Sequence, residues 1–350
     1  MKKFSKVLVA TMAIALVAAF MPAMTFADTT TVTPVSAKVS VTATTPTGFD
    51  LVDKTVTATS DMAETYLGQT EATTAKVTVL DAIVAAHIEK YGDAFKQKPS
   101  DYLTMSDNTK AAYVTKLFGH SLTNFIFYNG NKAIASGVVT DTVADGDSIT
   151  ACTYAATDTS WTGLYSYFDK VTYSAKAGKT FYVVLNADNW GTSLVTNKST
   201  IQKVNATSGT LTAMSGKTDD HGIASVKFNT PGTYYISAKG TVTYKNYSGT
   251  KVKGSIMAPL AKVKVGLSAP KAKASNKTAT SVKITWGKVT AASKYNVYRA
   301  TSKTGTYKCV KTTTGTSFTN KGLKNGKHYY YKVKAVKGTY VSSYSKAVVK

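Results

Sequence analysis

Apolar residues recur at every second position through most of this chain, and that period leaves little choice of secondary structure. Val39 and Val41, then Val282, Ile284 and Trp286, then Tyr331, Val333 and Ala335 each set alternate side chains on one face, the period of a half-buried strand. Turns between such runs are written by Asn129-Gly130, Asp145-Gly146-Asp147 and Pro231-Gly232, residues that tolerate positive φ or preset a reversal. Thr123 to Ala151 combines these signals. Phe125, Phe127 and Tyr128 lead into Asn129-Gly130, and Ser148 to Ala151 resumes after Asp145 to Asp147. The 22 tyrosines, with abundant Thr, Val, Ser and Lys, suit sheets packed on one face and wet on the other. A mainly β, multidomain chain is expected from 350 residues of this kind.

One stretch follows another period. Leu80, Ile83, Val84, Ile88 and Tyr91 recur at spacings of three and four, so a helix should present one stripe to a sheet. Thr78 is its natural N-cap, Asp81 sits in the first turn, and Gly92 ends it. A short helical turn is expected from Ser60, and a weaker helix over Asn108 to Phe118, ending at Gly119. Strands on both sides of a helix describe a mixed sheet wrapped on it, an α+β β-grasp arrangement. From Lys170 onward the pattern is all-β, and the family resemblances of that part imply two β-sandwiches in succession.

Met1 to Ala27 reads as a signal peptide. Lys2, Lys3 and Lys6 precede the apolar run Val7 to Phe20, and Thr25-Phe26-Ala27 offers the small residues of a cleavage site. The apolar run is short for a span of about 20 residues, and no second such run follows. The expectation is a secreted, cell-surface-associated protein with no transmembrane segment after cleavage. Cys152 and Cys309 are expected to be unpaired, partly buried thiols.

Charge is divided sharply. Of the 43 Lys+Arg residues, 25 lie at or beyond His221, whereas all 19 Asp+Glu lie at or before Asp220. Such a C-terminal half calls for a polyanionic neighbour. For a secreted chain that means an anionic cell-wall polymer or acidic polysaccharide rather than nucleic acid. Arg299 is the one arginine, so diffuse attraction by lysines is expected rather than bidentate phosphate recognition.

Resemblances extend this reading. Thr78 to Phe95, Phe118 to His120, the Phe125 to Gly130 run and Asp145 to Ile149 resemble a bacterial domain of unknown function similar to the small β-domain of transcobalamin and intrinsic factor. That resemblance covers residues 35–169 and implies a β-grasp domain, with cobalamin or a related corrinoid as a candidate ligand. Thr218 to Phe228 with Pro231 to Ala238 resembles bacterial immunoglobulin-like domains, implying a sandwich over residues 170–265 with Tyr234 or Tyr235 as a tyrosine corner. Residues 267–350 resemble a fibronectin type III domain. Ala269-Pro270, Trp286, Leu323 and Tyr329 carry the match, and Asn325 stands where the family usually has Pro.

Candidate chemistry is sparse. The four histidines, His87, His120, His221 and His328, do not pair at metal spacing. His87 is expected on the helix edge, and Asp219-Asp220-His221 in a turn. Asp141, Asp145 and Asp147 lack the full ligand spacing of a calcium loop. No nucleophile-elbow, zinc-helix, phosphate-loop or dinucleotide signature occurs, so no cofactor is expected and the chain reads as a binding protein, not an enzyme. An extracellular enzyme acting on polysaccharide is the other alternative. The candidate ligand face is Trp161, Tyr165, Tyr167 and Phe168, with Tyr128 nearby. Such rings stack on a sugar or a corrin edge, or they form a hydrophobic seam between the β-grasp and immunoglobulin-like domains.

Overall fold

Ser36–Thr45 and Gly48–Thr59 pair as a hairpin with Val39 opposite Val56, the alternation expected of them. The computed structural model describes residues 33–70, 76–121, 124–154, 163–189, 191–246 and 248–349; the expected signal peptide and Trp161 lie outside the described residues. Ser36–Thr45 also runs parallel to Ser148–Thr153, Val41 facing Ile149. Phe125–Asn129 and Lys132–Ala133 complete a five-stranded mixed sheet with Ser148–Thr153 at its centre, parallel to Ser36–Thr45 on one side and antiparallel to Phe125–Asn129 on the other. The helix Val79–Tyr91 packs on the hairpin. Its Leu80, Ile83 and Val84 are fully shielded and share a core with Val39, Val41 and Ile149. Each such side chain contributes about 1.5–3 kcal/mol by leaving water.

The helix starts as its sequence predicts. The Thr78 hydroxyl accepts from the Asp81 N–H at 3.1 Å, and the Asp81 carboxylate accepts from the Thr78 N–H at 2.9 Å. The other Asp81 oxygen accepts from the Ala63 N–H at 2.9 Å, tying the short helix Met62–Leu67 to the long one. The N-cap position of that short helix is Asp61, without a side-chain cap bond, rather than Ser60, whose hydroxyl accepts the Val35 N–H instead.

The helix expected over Asn108 to Phe118 does not form. The Asp107 carboxylate accepts the Thr109 N–H at 2.7 Å and turns the chain. Val114–Leu117 is then a strand between Thr104–Met105 and His120–Ser121. Val114, Leu117 and Phe118 are buried as expected. Asp competes for local backbone N–H groups and Val and Thr favour strands, so turn chemistry overrides a spacing that fitted either element.

A second core lies between two sheets. One orders Thr172–Lys176, Ala261–Gly266, Gly232–Lys239, Thr200–Val204 and Leu211–Lys217; the other contains Thr192–Val195, Thr180–Asn189 and Ile223–Lys227. Tyr165–Phe168 pairs with Thr180–Asn189, so this segment joins the sandwich before the expected start at Lys170. Tyr234 takes the corner role: its hydroxyl donates to the Thr230 carbonyl at 3.1 Å, and its ring stacks on Phe228 at 4.1 Å. Tyr235 points elsewhere.

The C-terminal sandwich sets Ala272–Thr278, Ser281–Trp286 and Ser317–Asn320 against Lys308–Thr313, Lys294–Ala300, Tyr330–Lys337 and Tyr340–Val341. Trp286 tilts on Tyr295 at 5.5 Å, and the fully buried Tyr331 accepts from the Asn320 amide at 2.8 Å. The Tyr329 hydroxyl accepts the Lys324 N–H at 3.3 Å, locking the corner read from Leu323 and Tyr329. Among the described residues, no helix is long and apolar enough to cross a membrane.

Candidate functional site

Four of the five candidate ligand residues are described, and three of them gather at one place. Tyr128 from the mixed sheet and Tyr165 from the sandwich stack with centroids 3.7 Å apart and planes 12° apart. Tyr167 lies 6.0 Å from Tyr165. Cys152, Tyr154 and Met257 close a small cluster with the first two rings. The Tyr165 hydroxyl donates to the Asn131 side chain at 3.1 Å. Burial, first of all, raises both tyrosine hydroxyls well above the ordinary tyrosine value. Phe168 instead turns into the sandwich core beside Tyr173. Tyr128 and Tyr165 occupy each other's faces, which is the geometry of a seam between two packed units.

Beside the rings the seam is polar. The hairpin loses register between Val41 and Ala43, and within that irregularity Asp53 adopts φ 41°, a conformation Asp tolerates better than most residues. The distortion aims its carboxylate at the sandwich. Asp53 accepts from Tyr235 at 2.9 Å and from Ser40, and pairs with Lys262. Thr44 donates to the Ala258 carbonyl at 2.8 Å. These groups, with Thr42, Tyr165 and Met257, line a cavity of about 270 Å³. Beyond it, Phe49 and Val52 pack on Val204 and Ala258, and the Phe49 N–H donates to the Gly209 carbonyl at 3.2 Å.

The remaining candidates are dispersed. His87 is fully buried; its Nδ1 donates to the Ile83 carbonyl at 2.7 Å and its Nε2 accepts the Phe118 N–H at 3.1 Å. Burial pushes its pKa down to about 4, so both nitrogens serve the fold as a neutral ring. His120 contacts Asp50 at 2.9 Å. Asp219, Asp220 and His221 offer metal-type ligand atoms within 4.8 Å of one another, all on exposed residues. Asp219 already accepts the His221 and Ile223 N–H groups, both at 2.9 Å, as a turn residue. Asp141 accepts from Ala135, Asp145 from Lys38, and Asp147 from Asn129 and Ala144. Those three carboxylates shape turns. Cys152 is buried in the seam and Cys309 is exposed, both unpaired.

A second convergence lies on the C-terminal sandwich. Tyr331, Val333 and Ala335 face inward, so Lys332 and Lys334 face out, with Tyr298 directly opposite Lys332 on the neighbouring strand. Ser342 and Ser345 donate their backbone N–H groups to Ala335 and Val333, and this anchors Tyr344 beside the same two lysines. Tyr298 meets Tyr344 edge to face at 5.0 Å. Lys332 lies 4.1 Å from the Tyr307 centroid, and Lys334 lies 4.0 Å from that of Tyr344. No Asp or Glu follows Asp220 in the sequence, so tyrosine rings take the place of carboxylates as partners for these ammonium groups. The outward period-two positions Tyr298, Lys332 and Lys334 were legible in the sequence. Tyr307 and Tyr344 sit outside strands, where no period identifies them.

The sheets and cores define a mainly β multidomain protein that ends in an aromatic-cored sandwich. Residues 268–350 match the fibronectin type III domain, and the C-terminal sandwich is such a domain. A Fn3-like protein from Clostridium thermocellum is 28% identical, over 24% of this chain and 86% of its own, with a TM-score of 0.22. A two-domain fibronectin type III segment from chicken tenascin is 18% identical, over 50% and 93%, with a TM-score of 0.33. A pectate lyase from Pectobacterium carotovorum is 20% identical, over 23% of this chain and 27% of the enzyme, with a TM-score of 0.22. No curated protein matches the chain.

Proposed function

We propose that this chain is a secreted, surface-associated binding protein of a Gram-positive-type bacterium, held by its basic C-terminal half on anionic envelope polymers or glycans, without catalysis of its own. One observation carries the reading: residues 221–350 hold 25 Lys+Arg and no Asp or Glu. Self-repulsion of that size costs stability unless a polyanion offsets it. Fibronectin type III domains are generally binding or adhesion modules, which agrees with the class of the C-terminal domain. The test is retention on purified cell wall across a salt gradient. Retention should fall steeply as the Debye length shrinks from about 10 Å at 0.1 M salt to about 3 Å at 1 M; retention indifferent to salt refutes the reading.

In the same reading residues 35–169 form a transcobalamin-like β-grasp domain and residues 170–265 an immunoglobulin-like sandwich. The parallel pairing of the first strand with the central one, with a helix on the sheet, supports the first assignment. A corrinoid ligand has weaker support. It rests on the resemblance, although cavities of about 320 Å³ beside Tyr128 and Tyr165 and of about 570 Å³ beside Phe125 and Phe127 lie within the range of about 300–1,000 Å³ common for small-molecule pockets. Cobalamin titrated into the full chain distinguishes the two readings.

A further inference from the structure

We infer that the outer face of the C-terminal sheet, built from Tyr298, Tyr307, Lys332, Lys334 and Tyr344, binds an acidic polysaccharide whose sugar rings carry carboxylates. This rests on the envelope-binding reading above and adds to it which anion the surface selects. Four segments meet there: the strands bearing Tyr298 and the lysines, the turn bearing Tyr307, and the tail segment bearing Tyr344. Lys332 lies 5.5 Å from the Tyr344 centroid as well as 4.1 Å from that of Tyr307. Lys334 likewise lies 5.9 Å from the Tyr298 centroid and 4.0 Å from that of Tyr344. The two ammonium groups are therefore fixed over a floor of rings instead of waving in solvent.

Two properties of this arrangement decide the ligand class. First, the charge is unneutralised. Among the described residues, the lysine beyond Asp220 that pairs with a carboxylate is Lys262, in the seam. A carboxylate arriving at Lys332 and Lys334 gains charge-assisted hydrogen bonds where each ammonium now has only ring quadrupoles. Second, tyrosines are adjacent to the charge and one of them is readily reachable: Tyr344 is 37% exposed, with Tyr298 and Tyr307 half-buried beside it. Sugar C–H faces pack on aromatic rings, whereas a flexible phosphodiester chain has no flat apolar face to offer. Charge alone accepts any polyanion. Rings and charge at this spacing favour a polymer that supplies an anion and a pyranose face together.

The test uses the full secreted chain with three soluble probes: polygalacturonate, which has rings and charge, inorganic polyphosphate, which has charge alone, and dextran, which has rings alone. The wild-type chain should bind polygalacturonate most tightly and dextran least. Tyr298→Ala combined with Tyr344→Ala should weaken polygalacturonate binding about ten-fold, the loss of two stacking contacts, and leave polyphosphate binding unchanged. Tyr298→Phe with Tyr344→Phe should restore the preference, since the rings remain, and thereby separates stacking from a folding defect. Lys332→Gln with Lys334→Gln should weaken both polyanions. Equal wild-type affinity for polygalacturonate and polyphosphate, or an alanine variant that binds polygalacturonate normally, overturns the inference while the envelope reading stands. A wild-type chain that binds no polyanion at low salt overturns both.

Discussion

Asp53 and Lys262 meet across the seam between the N-terminal mixed sheet and the central sandwich. Burial opposes the charge on Asp53, but hydrogen bonds from Lys262, Ser40 and Tyr235 outweigh it and hold the carboxyl below its ordinary value. Lys262 moves the opposite way, raised by the hydrogen bond to Asp53, so both partners report one favourable contact. A carboxyl lowered in the folded state contributes stability above its unfolded value of 3.8, and that contribution disappears as pH falls through the lower folded value. Both side chains keep some contact with water, 21% and 31% exposed. Asp53→Asn should therefore cost only about 1–2 kcal/mol at neutral pH. A double-mutant cycle with Lys262→Met measures the coupling directly; zero coupling shows that the two groups are merely adjacent.

The same seam predicts a thiol count. Cys152 is fully buried in the Tyr128–Tyr165 cluster, and burial raises its pKa well above the ordinary thiol value, whereas Cys309 is exposed. Only thiolates react readily. A disulfide reagent should label one thiol quickly in the native chain and the second only on unfolding. Tyr165→Ala removes a ring whose truncation costs about 3–5 kcal/mol, so Cys152 labelling should accelerate in that variant. Two equally fast thiols in the wild-type chain exclude a closed seam.

Sequence patterning reached the elements that obey one period and lost those set by contacts between distant segments. The Thr78–Asp81 cap and the Trp286, Tyr329 and Tyr331 core follow from local chemistry and alternation, and each was legible. The strand at Val114–Leu117 was not, because spacing alone cannot separate a helix stripe from a strand followed by a turn. The seam was anticipated as an aromatic cluster, yet the distortion at Asp53 that carries a carboxylate to Lys262 has no sequence signature. The same limit applies to Tyr344. Only its anchoring beside Lys334 makes it part of a surface.

Docking along the seam also depends on one glycine. Gly209 has φ +70°, and a Cβ there would lie 1.9 Å from the Phe49 carbonyl oxygen. The turn holding it donates its N–H to Asn205 and accepts the Phe49 N–H. Gly209→Ala should therefore separate the hairpin from the sandwich, through backbone clash and the strain of positive φ together, at a cost of about 2 kcal/mol or more. Hydrogen exchange should show faster exchange at the Phe49 amide, with little change at Tyr331 in the C-terminal sandwich. Unchanged protection at Phe49 would contradict the contact.

His87 makes the N-terminal core sensitive to acid. Its ring stacks on Phe118 at 4.0 Å, and burial, reinforced by the charge of Lys90, lowers its pKa to about 4 despite the favourable Ile83 carbonyl. Protonation would turn Nε2 from an acceptor into a donor facing the Phe118 N–H. Between the unfolded value of 6.5 and about 4, the unfolded state binds the proton and the folded state does not, so stability falls as pH falls. The full window is worth about 3 kcal/mol at about 1.36 kcal/mol per pH unit. Denaturant unfolding of the wild type and of His87→Gln, compared between about pH 7.5 and pH 4, isolates this share, because carboxylate titrations are common to both. The wild type should lose about 3 kcal/mol more than the variant. Parallel pH profiles would mean that the imidazole titrates freely in the folded protein, which its two hydrogen bonds forbid.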